Sequence, residues 1–376
     1  MRIVYCMNHL CADGGISVAT ITKANALADI DGYEIFIIIT DGIDEKSLAI
    51  LSAKINLIDL NVRYYEYDWK SKYHLIKTHI VKGHRHRNRL GKTLGDINPD
   101  IVISVGQSEK YILPSIKGRW KLIREIHYAS DYRRLMASRL KFTAYLKEFY
   151  DYKWKSREYD KIVVLTHDDY RRNWKNNNKI SVVPNPLSYQ DREVSLLCNR
   201  KIISIGRLVK EKNFLSLIQA FQIVSEIHDD WTLEIYGEGS ERSVIEDYIL
   251  KNGLQDKVFL KGKTENSGKV LSEASIFCLS SDFEGFGLVI VEAMACGIPV
   301  VTYACPSGPK EIVTNGRDGF LVEPRNYRVF AEKICDLIEN VEKRKSMGQA
   351  ALEKSKDYSI GNIIPKWIEL FNNMMS

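Results

Sequence analysis

The stretch Ser280-Ser281-Asp282-Phe283-Glu284-Gly285-Phe286-Gly287-Leu288-Val289-Ile290-Val291-Glu292-Ala293-Met294-Ala295-Cys296-Gly297-Ile298-Pro299-Val300-Val301 decides how this chain folds. An apolar run at 276–279 reads as a buried strand. Glycines 285 and 287 open a loop, a helix begins near Gly287, and Gly297 with Pro299 ends it before a second strand at 299–302. Strand, glycine loop, helix and strand in succession form the repeating unit of a doubly wound parallel sheet. A buried helix N-terminus that follows glycines favours an anion, through its free N–H groups and its dipole. Glu292 falls about five residues into the helix, roughly 7 Å along the axis at 1.5 Å per residue. That is about the reach from a diphosphate to the ribose hydroxyls of the same nucleotide, which a carboxylate holds by accepting two hydrogen bonds. Glu284, ahead of the helix, would face the other side of the phosphates. A helix with a surface glutamate and a capping acid has the same spacing, so the pattern alone leaves both readings open.

The same alternation extends in both directions. Further strands are expected at 201–205, 232–236 and 257–260, with helical stretches such as 216–227 between them. In the first half, 2–7 and 33–40 read as buried strands flanking a Gly14-Gly15 turn and a helix over 16–28. Runs at 101–105, 121–126, 162–165 and 180–183 continue the series. Val183-Pro184-Asn185-Pro186 interrupts regular structure and reads as an interdomain linker. The expected fold is α/β: two Rossmann-like, doubly wound parallel-sheet domains, 1–186 and 187–357, facing across a cleft. A helix within 358–376 is expected to cross back to the first domain. Ligands of such sheets bind at the carboxyl ends of the strands, so two facing sheets can hold two substrates.

Composition bounds the rest. With 376 residues, 45% apolar and 27% charged, the chain is too long for one core and too apolar for disorder, collagen or a small disulfide scaffold. The longest apolar stretch, 33–40, is far short of the roughly 18 residues of a membrane span, and 1–10 does not read as a secretory signal. Seven cysteines without paired spacing suit a reducing cytoplasm. The charge is uneven: residues 1–190 hold 31 Lys and Arg against 21 Asp and Glu, hence +10, and the remainder hold 23 against 27, hence −4. The first half is therefore expected to meet something anionic, such as phospholipid, a phosphate-bearing acceptor or nucleic acid.

The spacing of Glu284 and Glu292, with seven residues between, resembles the paired-glutamate motif of the retaining family 4 glycosyltransferases, members of glycosyl transferases group 1 with the two-domain GT-B fold. Ser204-Ile205-Gly206-Arg207-Leu208-Val209-Lys210-Glu211-Lys212-Asn213 is similar to that family's phosphate-binding Gly-Arg loop and its following lysine. Tyr236-Gly237-Glu238-Gly239 resembles its strand-end glycine loop, and residues 306–312 and 315–322 also follow its pattern. In the first half, Gly14-Gly15, Glu125-Ile126-His127-Tyr128 and Pro184-Asn185-Pro186 fall where the family would place them. The resemblance is dense over 200–325 and sparse before it.

This resemblance implies a glycosyltransferase that retains anomeric configuration and moves a hexose or N-acetylhexosamine from a nucleotide diphosphate sugar, UDP-linked, to a glycan or lipid-linked acceptor in bacterial surface polysaccharide assembly. Arg207 and Lys212 would neutralise the donor diphosphate, with Gly285, Phe286, Gly287 and Leu288 at the helix end. Gly14 and Gly15 would let a first-domain loop approach the same phosphates. Glu292 would hold the ribose, Gly237 and Glu238 would line the donor pocket, and His127 would hydrogen-bond or polarise the transferred sugar. Glu284 is read as holding a sugar hydroxyl and steadying positive charge, not as a covalent nucleophile. No cofactor or metal is implied, and Asp29-Ile30-Asp31 suits a polar turn. The basic stretches 82–89 and 117–121, with Arg133, Arg134, Arg139 and Lys141 and with Trp120, Tyr128, Tyr132, Phe142 and Tyr145, suit either a solvated face or contact with an anionic membrane. The expected location is cytoplasmic, at the inner face of the cell membrane. A nucleotide-sugar epimerase of the same fold is the rival enzyme. A nucleic-acid-binding role lacks any recognisable motif.

Overall fold

The computed structural model describes residues 1–11, 14–64, 72–106, 108–136, 141–188 and 192–376; Arg139 and the side chain of Lys141 lie outside the described residues. The chain divides into two compact units. The first comprises Met1–Leu165, Tyr170–Ser188 and Ile360–Ser376, and the second comprises Thr166–Asp169 and Tyr189–Ser359.

The first unit is built on seven strands: β1 (Arg2–Met7), β2 (Glu34–Ile39), β3 (Asn56–Asp59), β4 (Ile101–Ser104), β5 (Lys121–Ile126), β6 (Lys161–Val164) and β7 (Ile180–Val182). They lie in the order β3-β2-β1-β4-β5-β6-β7, and every pairing is parallel. Val4 stands opposite Phe36 on one side and Val102 on the other. All four residues of β4 are buried, because helices cover both faces of the sheet; this is why the strands read as continuous apolar runs. One face packs Ile3, Tyr5, Ile37 and Ile103 against the helix Gly15–Ala28 and the C-terminal helix Ile360–Met375. In the latter, Ile363, Trp367, Leu370 and Phe371 recur at helical spacing and turn inward. Burying each of these side chains contributes roughly 1.5–3 kcal/mol. The other face packs Val4, Cys6 and Val102 against Leu90 and Leu94 of the long helix Lys72–Ile97, and against Trp174.

The second unit holds β8 (Lys201–Ile205), β9 (Thr232–Tyr236), β10 (Val258–Gly262), β11 (Ile276–Leu279), β12 (Val300–Tyr303) and β13 (Gly319–Val322), in the order β10-β9-β8-β11-β12-β13. Its core gathers Phe221, Leu233, Tyr303 and Phe330. Two parallel doubly wound sheets are thus present. Strands β3 and β13 were not among those anticipated from the apolar runs. β3 sits at a sheet edge with polar residues at both ends, and β13 is short and opens with a glycine.

In each sheet the strand order reverses once, between β1 and β4 and between β8 and β11. At such a switch point the two outgoing loops diverge to opposite faces and leave a crevice at the carboxyl ends of the strands.

The basic stretch 82–89 is only partly a solvated face. Lys82 and His86 are buried, with the Lys82 ammonium donating to the Arg63 carbonyl. Arg87 donates to the Ser115 carbonyl at 3.1 Å and Arg89 to the Asn61 carbonyl at 2.9 Å. Arg133 and Arg134 are likewise engaged, with Asp151 at 3.2 Å and with Glu148 at 3.6 Å. Asp29 caps the end of its helix and pairs with Lys54 at 2.7 Å. Among the described residues, no helix is long and apolar enough to cross a membrane.

Candidate active site

The crevice of the second unit is formed by the loops that leave β8 and β11. The β8 loop is held by backbone bonds: Gly206 N–H donates to the Tyr236 carbonyl and Leu208 N–H to the Glu238 carbonyl, both at 2.9 Å. This close approach requires glycine at 237. Its φ is +142°, and a Cβ there would lie 1.9 Å from the Gly206 oxygen. A single tight turn, Lys210–Lys212, then ends at Asn213 in the left-handed region.

Side chains of the β11 loop fasten that turn. Ser280 Oγ donates to the carbonyls of Lys212 and Asn213 at 3.1 and 3.0 Å, and Asn213 Nδ2 donates to Asp282 Oδ1 at 3.1 Å. As a result, the Lys212 ammonium pairs with Glu284 Oε1, residues that are 72 positions apart in sequence. Ser281 Oγ donates to the same oxygen at 2.7 Å. The Glu284 carboxylate is nearly buried, yet the pair lies at the margin of the unit, its side chains 16% and 9% exposed.

Gly285 and Phe286 lead into the helix Leu288–Ala295, whose N-cap is Gly287 at φ +87°. A glycine cap has no side chain to accept from the first turn, so the N–H groups of Leu288 and Val289 keep their capacity for an outside acceptor. The loop before the next helix presses against this entrance. A Cβ on Gly308 would lie 1.7 Å from the Phe286 oxygen, Ser307 bridges to Glu284, and the Phe286 ring packs edge-on against Tyr358.

The structure therefore brings together Lys212, Glu284 and the 285–288 helix entrance. Arg207 stands on the same β8 loop with its side chain largely exposed, 3.7 Å from Glu211. Glu292 is one turn further along the helix. Burial raises its carboxyl pKa, while Arg192, 3.7 Å away, and a hydrogen bond from Ser267 oppose the rise. Glu238 contributes through its backbone; its carboxylate turns outward to Arg242 at 2.6 Å. Sequence reasoning missed Ser280, Ser281, Asn213 and Arg192, because polar residues in loops show their partners only once the strands are ordered.

The remaining candidates belong to the first unit. Gly14 caps the helix Gly15–Ala28, and neither glycine has a positive φ. A Cβ on Gly15 would meet nothing within 4 Å, so the fold itself does not demand glycine there. His127 follows β5, is 7% exposed, and holds Nε2 3.3 Å from Glu125 Oε1 without hydrogen-bond alignment.

Residues 191–354 match the profile of the family described as glycosyl transferases group 1. An uncharacterized glycosyltransferase of Haemophilus influenzae is 28% identical over 374 residues, 97% of this chain and 98% of that protein. The poly(glycerol-phosphate) alpha-glucosyltransferase of Bacillus subtilis is 33% identical over 175 residues, 46% of this chain but only 26% of its own length. Among solved structures, TarM of S. aureus superposes with a TM-score of 0.82 at 18% identity, covering 99% of this chain and all of that one. Residues 191–354 thus match the glycosyl transferases group 1 family, and the chain has the GT-B fold.

Proposed function

We propose that this protein is a glycosyltransferase that moves a hexose or N-acetylhexosamine from a UDP-linked donor, with retention of configuration and without a metal, to a glycan or lipid-linked acceptor in bacterial surface polysaccharide assembly. The observation that carries the proposal is the Lys212–Glu284 pair at the β8/β11 switch point, beside a helix entrance capped only by glycine. The S. aureus TarM structure was obtained with UDP and alpha-GlcNAc-glycerol, and the Bacillus relative is named for poly(glycerol phosphate); both fit a nucleotide-sugar donor and a phosphate-rich or glycan acceptor.

In this reading, Arg207, Lys212 and the N–H groups after Gly287 take up the charge that grows on the departing diphosphate, the role a metal plays elsewhere. The acceptor oxygen attacks the anomeric carbon as the carbon–oxygen bond to the diphosphate breaks. The electron pair leaves on the phosphate oxygen, which takes the acceptor's proton. Glu284 Oε2 holds a sugar hydroxyl and steadies the oxocarbenium-like carbon, Glu292 binds the ribose, and Gly237 with Glu238 borders the donor. His127 bonds the transferred sugar, and Gly14-Gly15 leaves room for phosphate. No cofactor takes part.

The test is direct. Glu284→Ala should abolish transfer in a folded protein, and near-normal turnover would refute the assignment. Arg207→Ala with Lys212→Ala should weaken UDP binding measured by calorimetry; unchanged affinity would move the diphosphate elsewhere. The same reading puts the protein at the cytoplasmic face of the membrane, with the exposed side chains Arg85, Arg87, Phe142 and Tyr145 meeting anionic lipid. Reversing the charge of Arg85 and Arg87 should then lower sedimentation with anionic vesicles, and equal sedimentation would remove the contact.

A further inference from the structure

The first unit buries a set of polar groups that its packing leaves unsatisfied. Lys23, on the helix Gly15–Ala28, is completely buried, and its ammonium pairs with Glu125 Oε1 near the end of β5. The same ammonium lies 4.6 Å from the centre of the Trp367 ring, on the C-terminal helix, and 5.9 Å from that of Tyr5 on β1. Two residues beyond Glu125, on the same side of the extended chain, His127 holds Nε2 3.3 Å from the carboxylate oxygen that Lys23 grips. Around this group Glu125 Oε2, both ring nitrogens of His127, the Tyr5 hydroxyl and Trp367 Nε1 are buried and, among the described residues, accept or donate no hydrogen bond.

Stability does not explain such an arrangement. An apolar pair of equal volume is often as stable as a buried ion pair, or more so. Each orphaned polar atom adds a desolvation cost of its own. Burial is the largest single influence on Glu125 and opposes its ionisation, but the Lys23 ammonium, then His127, together outweigh it and hold the carboxyl down at about 2. The carboxylate beside His127 is therefore ionised and held in place, with no exposed side-chain surface.

We propose that Lys23, Glu125 and Trp367 are positioning residues for His127. The indole face holds the ammonium, the ammonium pins the carboxylate, the carboxylate accepts a hydrogen bond from Nε2–H, and Nδ1 is left as the acceptor for a donor-sugar hydroxyl. Hydrogen bonds of this kind are commonly long or bent until substrate is bound. The inference rests on the role given above to His127. It adds that the C-terminal helix, through Trp367, takes part in setting the imidazole.

The experiment replaces both charges at once, Lys23→Met with Glu125→Gln, in the full-length protein and in a His127→Ala background. Transfer is assayed with a UDP-sugar donor and the fold is followed by thermal melting. The paired variant should melt within a few degrees of the parent yet lose about 10- to 100-fold in kcat, with KM for the donor changed less than threefold. In the His127→Ala background it should change nothing further. A folded paired variant with kcat within twofold of the parent would overturn the proposal, as would an equal additional loss when His127 is absent. Full activity of His127→Ala alone would instead defeat the reading on which the inference rests, and that outcome is distinct from failure of the paired variant. Should the paired variant not fold, nitrogen-15 histidine spectra of the unaltered protein decide. A single Nε2–H tautomer at His127 is expected, and an even tautomer mixture would overturn the proposal.

Discussion

Both units place a lysine–glutamate pair near the carboxyl end of a sheet, and the two pairs differ in one respect. Lys23 and Glu125 have no solvent exposure at all, whereas Lys212 and Glu284 are 16% and 9% exposed. The chemistry is the same, but the available partners are not. A pair sealed among Tyr5, Trp367 and the sheet can exchange with nothing and acts as a fixed charge. A pair at the margin of its unit, followed by the glycines 285 and 287, can give its cation to a phosphate and its anion to a hydroxyl.

The contrast predicts a reversal of stability and function. Lys23→Met should strand an ionised, buried carboxylate and cost about 3–5 kcal/mol of unfolding free energy, whereas Lys212→Met should cost clearly less, because Glu284 keeps the Ser281 hydrogen bond and some contact with solvent. Denaturant melts of the two variants check this, and equal losses would erase the distinction. Glu284→Gln keeps the shape of the open pair but removes its charge. It should lower kcat about 10²- to 10³-fold with a normal melt, since Ser281 Oγ can still donate to the carboxamide oxygen.

Seclusion has a pH signature elsewhere in the first unit. His86 is buried against Tyr64, with Nδ1 3.1 Å from its hydroxyl, and burial pulls the imidazole down to about 4. The unfolded chain titrates near 6.5 and so binds the extra proton first. Stability at neutral pH is thus lost as pH falls from about 6.5 towards 4, by up to about 3 kcal/mol. His86→Phe should flatten that slope in pH-dependent melts, and an unchanged slope would assign it to other groups. The smallest effect is expected at Arg207, whose side chain is 69% exposed. Arg207→Ala should weaken UDP binding about tenfold or less, roughly 1.4 kcal/mol, with no change in melting.

Much of the fold was legible in the sequence because buried parallel strands are apolar at nearly every position, as in Ile101–Ser104 and Ile276–Leu279. The edge strand Asn56–Asp59 escaped because it is covered less completely and keeps polar ends. At the site, Glu284 was suggested by its place ahead of a helix N-terminus and Lys212 by the resemblance of its loop to a family, but no local pattern joins the two. Lys23 was not found at all. A lysine in a helical stretch reads as a solvent-facing residue, and its partner Glu125 is 102 positions away. Only the packing of the helix between β1 and the C-terminal segment shows that its ammonium is indoors. The basic run 82–89 illustrates the opposite error, since charge counted along the chain overlooked Lys82 and His86, which face the core.

The C-terminal helix has a consequence for biogenesis. Its residues Ile363, Trp367 and Phe371 complete the core of the first unit, yet they follow nearly all of the second unit in sequence. A ribosome therefore finishes most of the second unit before it supplies the piece that closes the first. During synthesis the Lys23 helix must wait, with one apolar flank uncovered, for a segment encoded more than 330 residues later. The first unit of a nascent chain is thus open to chaperones and proteases until the helix Ile360–Met375 emerges.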